Sequence, residues 1–337
     1  MIHKIKKIEK FTKVLCIGDP HFKNSCTDES RELHKQTIKT IKNNNYDATI
    51  ILGDVLDRHA LIDMVPFCMA LNYVKDIAEL CKVYVLVGNH DISHNKINIA
   101  NEKEKNHSLQ AFKYIDNVVI VDEPHYIDIM GLNCCLLPYY PVGEFPNIEC
   151  DILFCHQEFK GCKMNGIKSK HGDTIDENML VISGHIHDFQ VIKKNIVYPG
   201  TPFMVSFGES SDKGFVEIVE YDGVNDFIRY KDIKLNRIPV NIIPKVTIKC
   251  NAKEFRDVVG EADKLKDNKV KIIISDTESN ISTLNTECKH IVVIKIIRDD
   301  GVNNGVKIEK NFERKTFNDF CMELLNEEEK SLLNYLI

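Results

Sequence analysis

KVLCIGDPH at residues 13–21 sets an apolar run of strand length against a Gly-Asp pair, and the pattern returns twice, as ATIILGD at 48–54 and VYVLVGNHD at 83–91. Short continuous apolar runs that stop at Gly and a polar residue read as strands buried on both faces, whose carboxyl ends carry polar groups into loops. Between these runs lie an amphipathic stretch from Thr27 to Asn43 and a longer apolar-periodic stretch from Leu61 to Cys81. The order strand, helix, strand, helix, strand is that of a parallel α/β sheet, and ligands of such sheets bind outside the carboxyl ends of the strands.

Downstream, the strand candidates are shorter and follow one another closely: NVVIVD, HYIDIM, LNCCLLPYY, DILFCH, LVISGH, IVYPG and GFVEIVEYD, with one helical stretch, Ser108 to Tyr114, among them. The class shifts from parallel α/β toward mixed sheets. NRIPVNIIPKV carries Pro239 and Pro244 between two strand patterns, which suits a short connection and places a domain boundary near residue 238. Beyond it, KVTIKC, a helical stretch from Ala252 to Leu265, KVKIIIS and HIVVIKII compose a small α+β unit over 238–310. A helical tail over 311–337 is expected from the spacing of Phe317, Phe320, Leu324 and Leu325, the capping box of Asn326 with Glu329, and a second stripe of Leu332, Leu333 and Leu336.

The chain has 337 residues, 43% of them hydrophobic and 28% charged, which is globular composition and excludes disordered and fibrous classes. A formal net charge of -6 excludes retention on nucleic acid by bulk positive charge, so any polyanion contact must be local. The 12 cysteines are scattered, form no C-x-x-C and sit in a chain too long to need a disulfide framework. VLCIG is too short for a secretory h-region, and ATIIL and HIVVIKII are strand-sized rather than membrane-sized. An intracellular protein is expected, neither secreted nor membrane-bound.

The chemistry sits at the strand ends. Asp19 and His21, two apart where the chain leaves a strand, can converge on one ion; Asp54 and Asn89 end the next two strands. Further on, His156 ends DILFCH, and His185 and His187 leave LVISG. Any one of these tips is ordinary turn chemistry or a hydrogen-bonded histidine, but their succession is not. Together the seven offer oxygen and imidazole donors and no thiolate. That mixture suits two six-coordinate divalent ions, manganese foremost with iron and magnesium as alternatives, and argues against structural zinc.

The ordered set Asp19-x-His21, Gly53-Asp54, Gly88-Asn89-His90-Asp91, His156 and Gly184-His185-x-His187 resembles the calcineurin-like metallophosphoesterases. The resemblance covers residues 12–237 and implies a four-layer α/β/β/α sandwich with a two-metal centre. It assigns Asp19, His21 and His187 to one ion, Asn89, His156 and His185 to the other, Asp54 to both, and His90 to catalysis. Asp57 and Asp91 are expected just outside the ligands, Asp91 orienting a neighbouring histidine or serving as a turn residue. Tyr198-Pro199-Gly200-Thr201-Pro202, Phe207-Gly208-Glu209 and Lys213-Gly214-Phe215 are similar to SbcD-type nuclease subunits of recombination complexes. The stretch from His156 through Lys168-Ser169-Lys170-His171-Gly172 to Gly184-His185-Ile186-His187 resembles most those of large DNA phages and viruses, which implies cytoplasm, nucleus or viral factory as its place.

That likeness implies a DNA exonuclease or endonuclease, with residues 238–310 as a capping domain that selects DNA and the tail docking on an SMC-like coiled-coil ATPase. A homodimer is left open. Arg58, His59 and the basic group Lys160, Lys163, Lys168, Lys170 and His171 are the candidate DNA contacts, each against the reading of a solvated loop. Lys4, Lys6, Lys7 and Lys10 read as an unspecific tail. The alternative function is a stand-alone phosphoesterase on small nucleotides or phosphoproteins. It shares the whole metal set and differs at His59 and Asp91, where protein phosphatases carry Gly and Glu. A scaffold without catalysis ranks last, because no ligand position is missing.

Overall fold

The computed structural model describes residues 8–164, 166–223, 228–251, 254, 257–258, 265, 267–276, 291–298 and 308–311. By its internal contacts the chain divides into two units, Met1–Ile242 and Ile243–Ile337. The boundary expected near 238 falls inside a strand, Ile233–Pro239, which pairs antiparallel with Gly214–Glu220 along its length. The alternation IKLNRI was the sign of that strand, and the proline at its end masked it.

The first unit is a mixed α/β fold of two seven-stranded sheets. In the first sheet, Val14–Ile17, Ala48–Ile51, Lys82–Leu86 and Val118–Val121 run parallel, and Gly214–Glu220, Ile233–Pro239 and Ile228–Tyr230 extend the Val14 edge antiparallel. The second sheet has Leu132–Leu136, Ile152–His156, Leu180–Gly184 and Ile196–Tyr198 in parallel. Lys10–Phe11 with His125–Ile129 lies on one side and Gln190–Ile192 on the other.

The period of two explains the layers. Val14, Leu15, Cys16 and Ile17 are all fully buried, yet they face opposite ways. Leu15 and Ile17 pack with Leu33, Ile41, Tyr73, Val74 and Ile77 of the helices Thr27–Asn44 and Met64–Ala78. Val14 and Cys16 pack with Ile50, Leu52, Tyr84 and Leu86, and against Leu136, Ile152, Phe154 and Ile182 of the second sheet. Each such aliphatic side chain contributes about 1.5–3 kcal/mol of burial, so both faces of the first sheet hold large apolar stores. The outer face of the second sheet, with Leu153, Cys155 and Val181, is covered by Tyr140, Phe159, Cys162 and Met179 and by the partly buried Phe145 and Ile148. Among the described residues that fourth layer is made of loop segments rather than helices.

The first helix ends within a residue of the expected Asn43, whereas the second, Met64–Ala78, is three residues shorter at each end than the expected Leu61–Cys81. The first stops at Asn45, whose left-handed backbone (φ 52°) donates to the Ile41 carbonyl, a C-terminal cap that Asn adopts readily. Ser108–Tyr114 holds a short 3-10 turn at Gln110–Tyr114. The second unit contains a sheet in the order Lys245–Cys250, Lys269–Asp276, Ile291–Arg298 and Ile308–Asn311, the first three parallel and the last antiparallel. Cys250, Val270, Ile272 and Ile274 are its buried apolar residues among those described. The helix expected over Ala252–Leu265 lies largely outside the described residues, and the tail stripes from Phe317 to Leu336 wholly so. No helix among the described residues is long and apolar enough to cross a membrane.

Candidate metal centre

Register brings the strand ends together. Ile17 lies opposite Ile51, and Ile51 opposite Val85, so Asp19, Asp54 and Asn89 leave the first sheet at one edge. In the second sheet His156 lies opposite Gly184, which puts His185 and His187 beside it. Three of the expected ligands have left-handed backbone: His21 (φ 42°), Asp54 (φ 48°) and His185 (φ 80°). Such conformations cost about 1–3 kcal/mol each at non-glycine residues and persist only where the surroundings dictate them. The surroundings are tight. A Cβ on Gly184 would stand 2.4 Å from both Asp19 Oδ1 and the Leu52 carbonyl, and one on Gly88 would stand 2.3 Å from the Asp54 amide nitrogen.

All seven expected ligands converge. Asp54 Oδ2 lies 3.2 Å from His156 Nε2 and 3.7 Å from His21 Nε2, between the two groups of histidines, while Asp54 Oδ1 accepts from the His90 amide at 2.8 Å. Asn89 Oδ1 is 2.9 Å from His156 Nε2 and 2.8 Å from His185 Nδ1. His21 Nε2 and His187 Nε2 face each other at 3.1 Å. Asp54, His156 and His185 have ligand atoms all within 4.8 Å of one another.

Tautomers follow from the partners. His156 Nδ1 donates to the Leu52 carbonyl at 2.7 Å, and His187 Nδ1 donates to the Glu209 carboxylate at 3.1 Å. In the neutral rings Nε2 is therefore a bare lone pair. His156 Nε2 then meets two oxygen acceptors, and both Asp19 carboxylate oxygens are buried without a hydrogen-bond partner. An acceptor-rich, buried knot of this kind needs a cation, and oxygen with imidazole donors suits divalent ions. The residues present therefore fit a metal centre.

The titration behaviour has the same cause. Burial and the neighbouring His156 push His185 down to about 4, so it is neutral, as a ligand must be, at neutral pH. Burial lowers His21 too. Burial also opposes charge on His156, but Asp54 and Asp19 beside it outweigh burial and raise it well above the ordinary value.

Around the ligands the assignments divide. Asp57 Oδ1 lies 3.3 Å from His21 Nδ1 and takes an ion pair from Lys23 at 3.2 Å; burial raises its carboxyl, and His21 and Lys23 pull it down to about 2. Asp91 does not orient a histidine. It is buried and accepts from the backbone amides of Gly88 at 3.0 Å and Leu56 at 3.2 Å, tying two strand-end loops together, and burial with Asp54 nearby lifts it to about 7. His90 donates from Nδ1 to the Asp57 carbonyl at 2.6 Å, and the His59 ring stacks on it with centroids 4.3 Å apart. Arg58 is exposed and faces Asp63 at 3.4 Å. Lys160, Lys163, Lys168, Lys170 and His171 are exposed on and beside the hairpin of Lys163–Met164 with Ile167–Lys168.

Residues 12–189 match the family described as Calcineurin-like phosphoesterase. The chain belongs to the calcineurin-like phosphoesterase family. It is 33% identical over 280 residues to "Putative phosphoesterase 244L" of Invertebrate iridescent virus 6, covering 77% of this chain and 93% of that one. With "Putative phosphoesterase 078R" of Invertebrate iridescent virus 3 it shares 32% identity over 253 residues, 72% of this chain and 69% of the relative. Among solved structures, YfcE, a phosphoesterase from E. coli, aligns at 12% identity and a TM-score of 0.33 over 68% of this chain and 100% of that chain.

As a calcineurin-like phosphoesterase the chain is a metal-dependent enzyme whose family uses a dinuclear centre, and Asp54, His156 and His185 among the converging donors form a candidate site for a metal ion. Two contributors carried no role in the sequence reading. Tyr139 stacks near His185, 6.1 Å between centroids, and donates its hydroxyl to the Asn95 carbonyl. Glu209 holds His187. The first follows the strand Leu132–Leu136, a sign that the strand delivers to the site; the second lies in a Gly-rich turn that has no periodicity to read.

Proposed function

We propose that this phosphoesterase hydrolyses phosphodiester bonds in DNA as an SbcD-type nuclease subunit in recombination, repair or replication, working with an SMC-like coiled-coil ATPase. The observation that supports DNA over a small ester is the lysine hairpin. In a chain of net charge -6, Lys160, Lys163, Lys168 and Lys170 are exposed, and none of them pairs with a carboxylate among the described residues. The hairpin is bound to the segment that follows His187: Lys163 donates its amide to Gln190 Oε1 at 2.8 Å, and Gln190 Nε2 returns a bond to the Lys163 carbonyl at 2.9 Å. A polymer with a charge at every step uses such a rim, whereas a small ester has nothing to lay across it.

In this reading Asp19, His21 and His187 hold one ion, Asn89, His156 and His185 the other, and Asp54 is shared. Two divalent ions there, manganese foremost, supply Lewis-acid stabilisation of the phosphoryl group and a water acidic enough to deprotonate near neutral pH. Asp19 and Asp54 supply the negative charge that retains them. His90 is the catalytic residue. Its Nδ1–H is committed to the Asp57 carbonyl and its ring is fixed by His59, so Nε2 is the free nitrogen, and in the imidazolium form it would hand its proton to the departing oxygen. Arg58 and His59 flank the phosphate path, the unit after residue 242 selects DNA structure, and the segment after residue 311 docks on the ATPase.

The test incubates purified protein and manganese separately with linear duplex DNA, a single-stranded circle and bis(p-nitrophenyl) phosphate, beside His90→Asn and Asp54→Ala. DNA cleavage that disappears in both variants is the expected result. Hydrolysis of the small ester alone, with DNA intact even after an SMC-like ATPase subunit is added, overturns the nuclease reading and leaves a small-substrate phosphodiesterase.

A further inference from the structure

His187 is less enclosed than His21 and His156. Like His21 it lies past the end of its strand, here Leu180–Gly184, but about 35% of its side chain is exposed, against 1% for His21 and 0% for His156. A ligand on an open loop has no strand to aim it, so something behind it must.

We propose that Glu209 and Lys213 form a positioning pair that clamps His187 by its ring and its backbone at once, fixing the Nε2 lone pair toward His21 and so setting the affinity of one ion of the centre. Glu209 Oε1 accepts from His187 Nδ1 at 3.1 Å. A carboxylate only accepts, so this contact selects the tautomer whose Nε2 is bare and directs it to His21 Nε2, 3.1 Å away. Glu209 itself cannot swing. Its oxygens also accept from the amides of Val205 and Ser206, each at 3.0 Å, from Ser206 Oγ at 2.8 Å and from Lys213 Nζ at 3.0 Å.

Lys213 closes the clamp from the other side. Its ammonium donates to the His187 carbonyl at 2.9 Å, to Thr201 Oγ1 at 2.8 Å and to Glu209 Oε2 at 3.0 Å, so all three donors are used. Both side chains of the pair are about 4% exposed. The turn at Gly200 completes the grip. Thr201 donates its amide to the same His187 carbonyl at 3.0 Å, and a Cβ on Gly200 would stand 2.7 Å from that oxygen. Burying an ion pair costs desolvation that apolar residues would avoid, so one that meets a ligand by both routes is placed for orientation rather than for stability. The clamp acts on the centre whichever ester is hydrolysed, and it does not depend on DNA as substrate.

The readout is metal binding. Wild type, Glu209→Ala, the paired variant Glu209→Gln with Lys213→Met, and His187→Ala are stripped with chelator, then titrated calorimetrically with manganese. Bound manganese per chain is counted after gel filtration, and melting in chelator reports the fold. Losing an outer carboxylate partner typically weakens metal affinity about 10–100-fold. The expected result is that loss in one of two equivalents, the other unchanged, in Glu209→Ala and in the paired variant. The paired variant leaves no lone buried charge and melts in chelator near wild type. Adding Glu209→Gln to His187→Ala changes nothing further, because the route runs through His187. Wild-type affinity for both equivalents in the folded paired variant overturns the proposal, as does equal weakening of both equivalents.

Discussion

The floor of the candidate metal centre and the lysine hairpin, which is tied to Gln190 three residues after His187, are built by opposite means. The floor is determined several times over: Asp19, His21, Asp54 and His156 are buried, three ligands hold strained backbone, and Gly88 and Gly184 leave no room for a methyl group. The hairpin is two residues to a strand, exposed on every described residue of those strands, and fastened mainly through Gln190. The difference teaches where each kind of function resides. Chemistry that needs ångström placement is set on the floor, where packing fixes every rotamer, while attraction for a polyanion needs only charge at the rim.

The largest effect that sharpens this contrast is loss of metal. Chelation or Asp54→Ala abolishes phosphodiester turnover, and at manganese about a hundredfold above Kd chelation also removes about 2.7 kcal/mol of stability. A melting temperature indifferent to manganese would break the account of the floor. Next comes His90→Asn, which keeps both ions by elemental analysis but lowers kcat by about 10²–10⁴-fold, because only a proton-transfer group has been removed. Loss of metal in this variant would move His90 from catalysis to ligand support.

Gly184→Ala tests packing without replacing a ligand. Its methyl group meets Asp19 and the Leu52 carbonyl, and overpacking of this kind costs about 1–3 kcal/mol, read as a lower melting temperature together with weaker metal binding. The smallest effect belongs to the rim. Replacing Lys160, Lys163, Lys168 and Lys170 with alanine leaves stability and small-ester kcat unchanged. It weakens DNA binding and flattens the log-log salt dependence by about 0.9 for each DNA phosphate that the lysines no longer neutralise. An unchanged salt slope would make the hairpin a solvated loop and nothing more.

The elements were legible to very different degrees, for reasons that lie in range. The strands Val14–Ile17, Ala48–Ile51 and Lys82–Leu86 and the helices between them announce themselves by period, since each buries its own face and the signal is contained within it. The strand Ile233–Pro239 did not, because its partner Gly214–Glu220 supplies the pairing and Pro239 at its end, with Pro244 beyond it, suggested a linker. Asp57 and Asp91 look alike in sequence, one after each polar strand end. Only their surroundings separate a carboxylate that faces His21 from one that ties two loops by their amides.

By itself the sequence determined the class of fold, the family and the identity of the converging donors, because alternating burial and Gly-Asp strand ends are local properties of the chain. Tertiary structure alone decided which nitrogen is bare in the neutral rings of His156 and His187. That choice rests on the Leu52 carbonyl, 104 residues from His156, and on Glu209, 22 residues from His187. A tautomer is set by the hydrogen bond on the far side of the ring, and no spacing of letters along the chain encodes that partner until the two sheets have closed on each other.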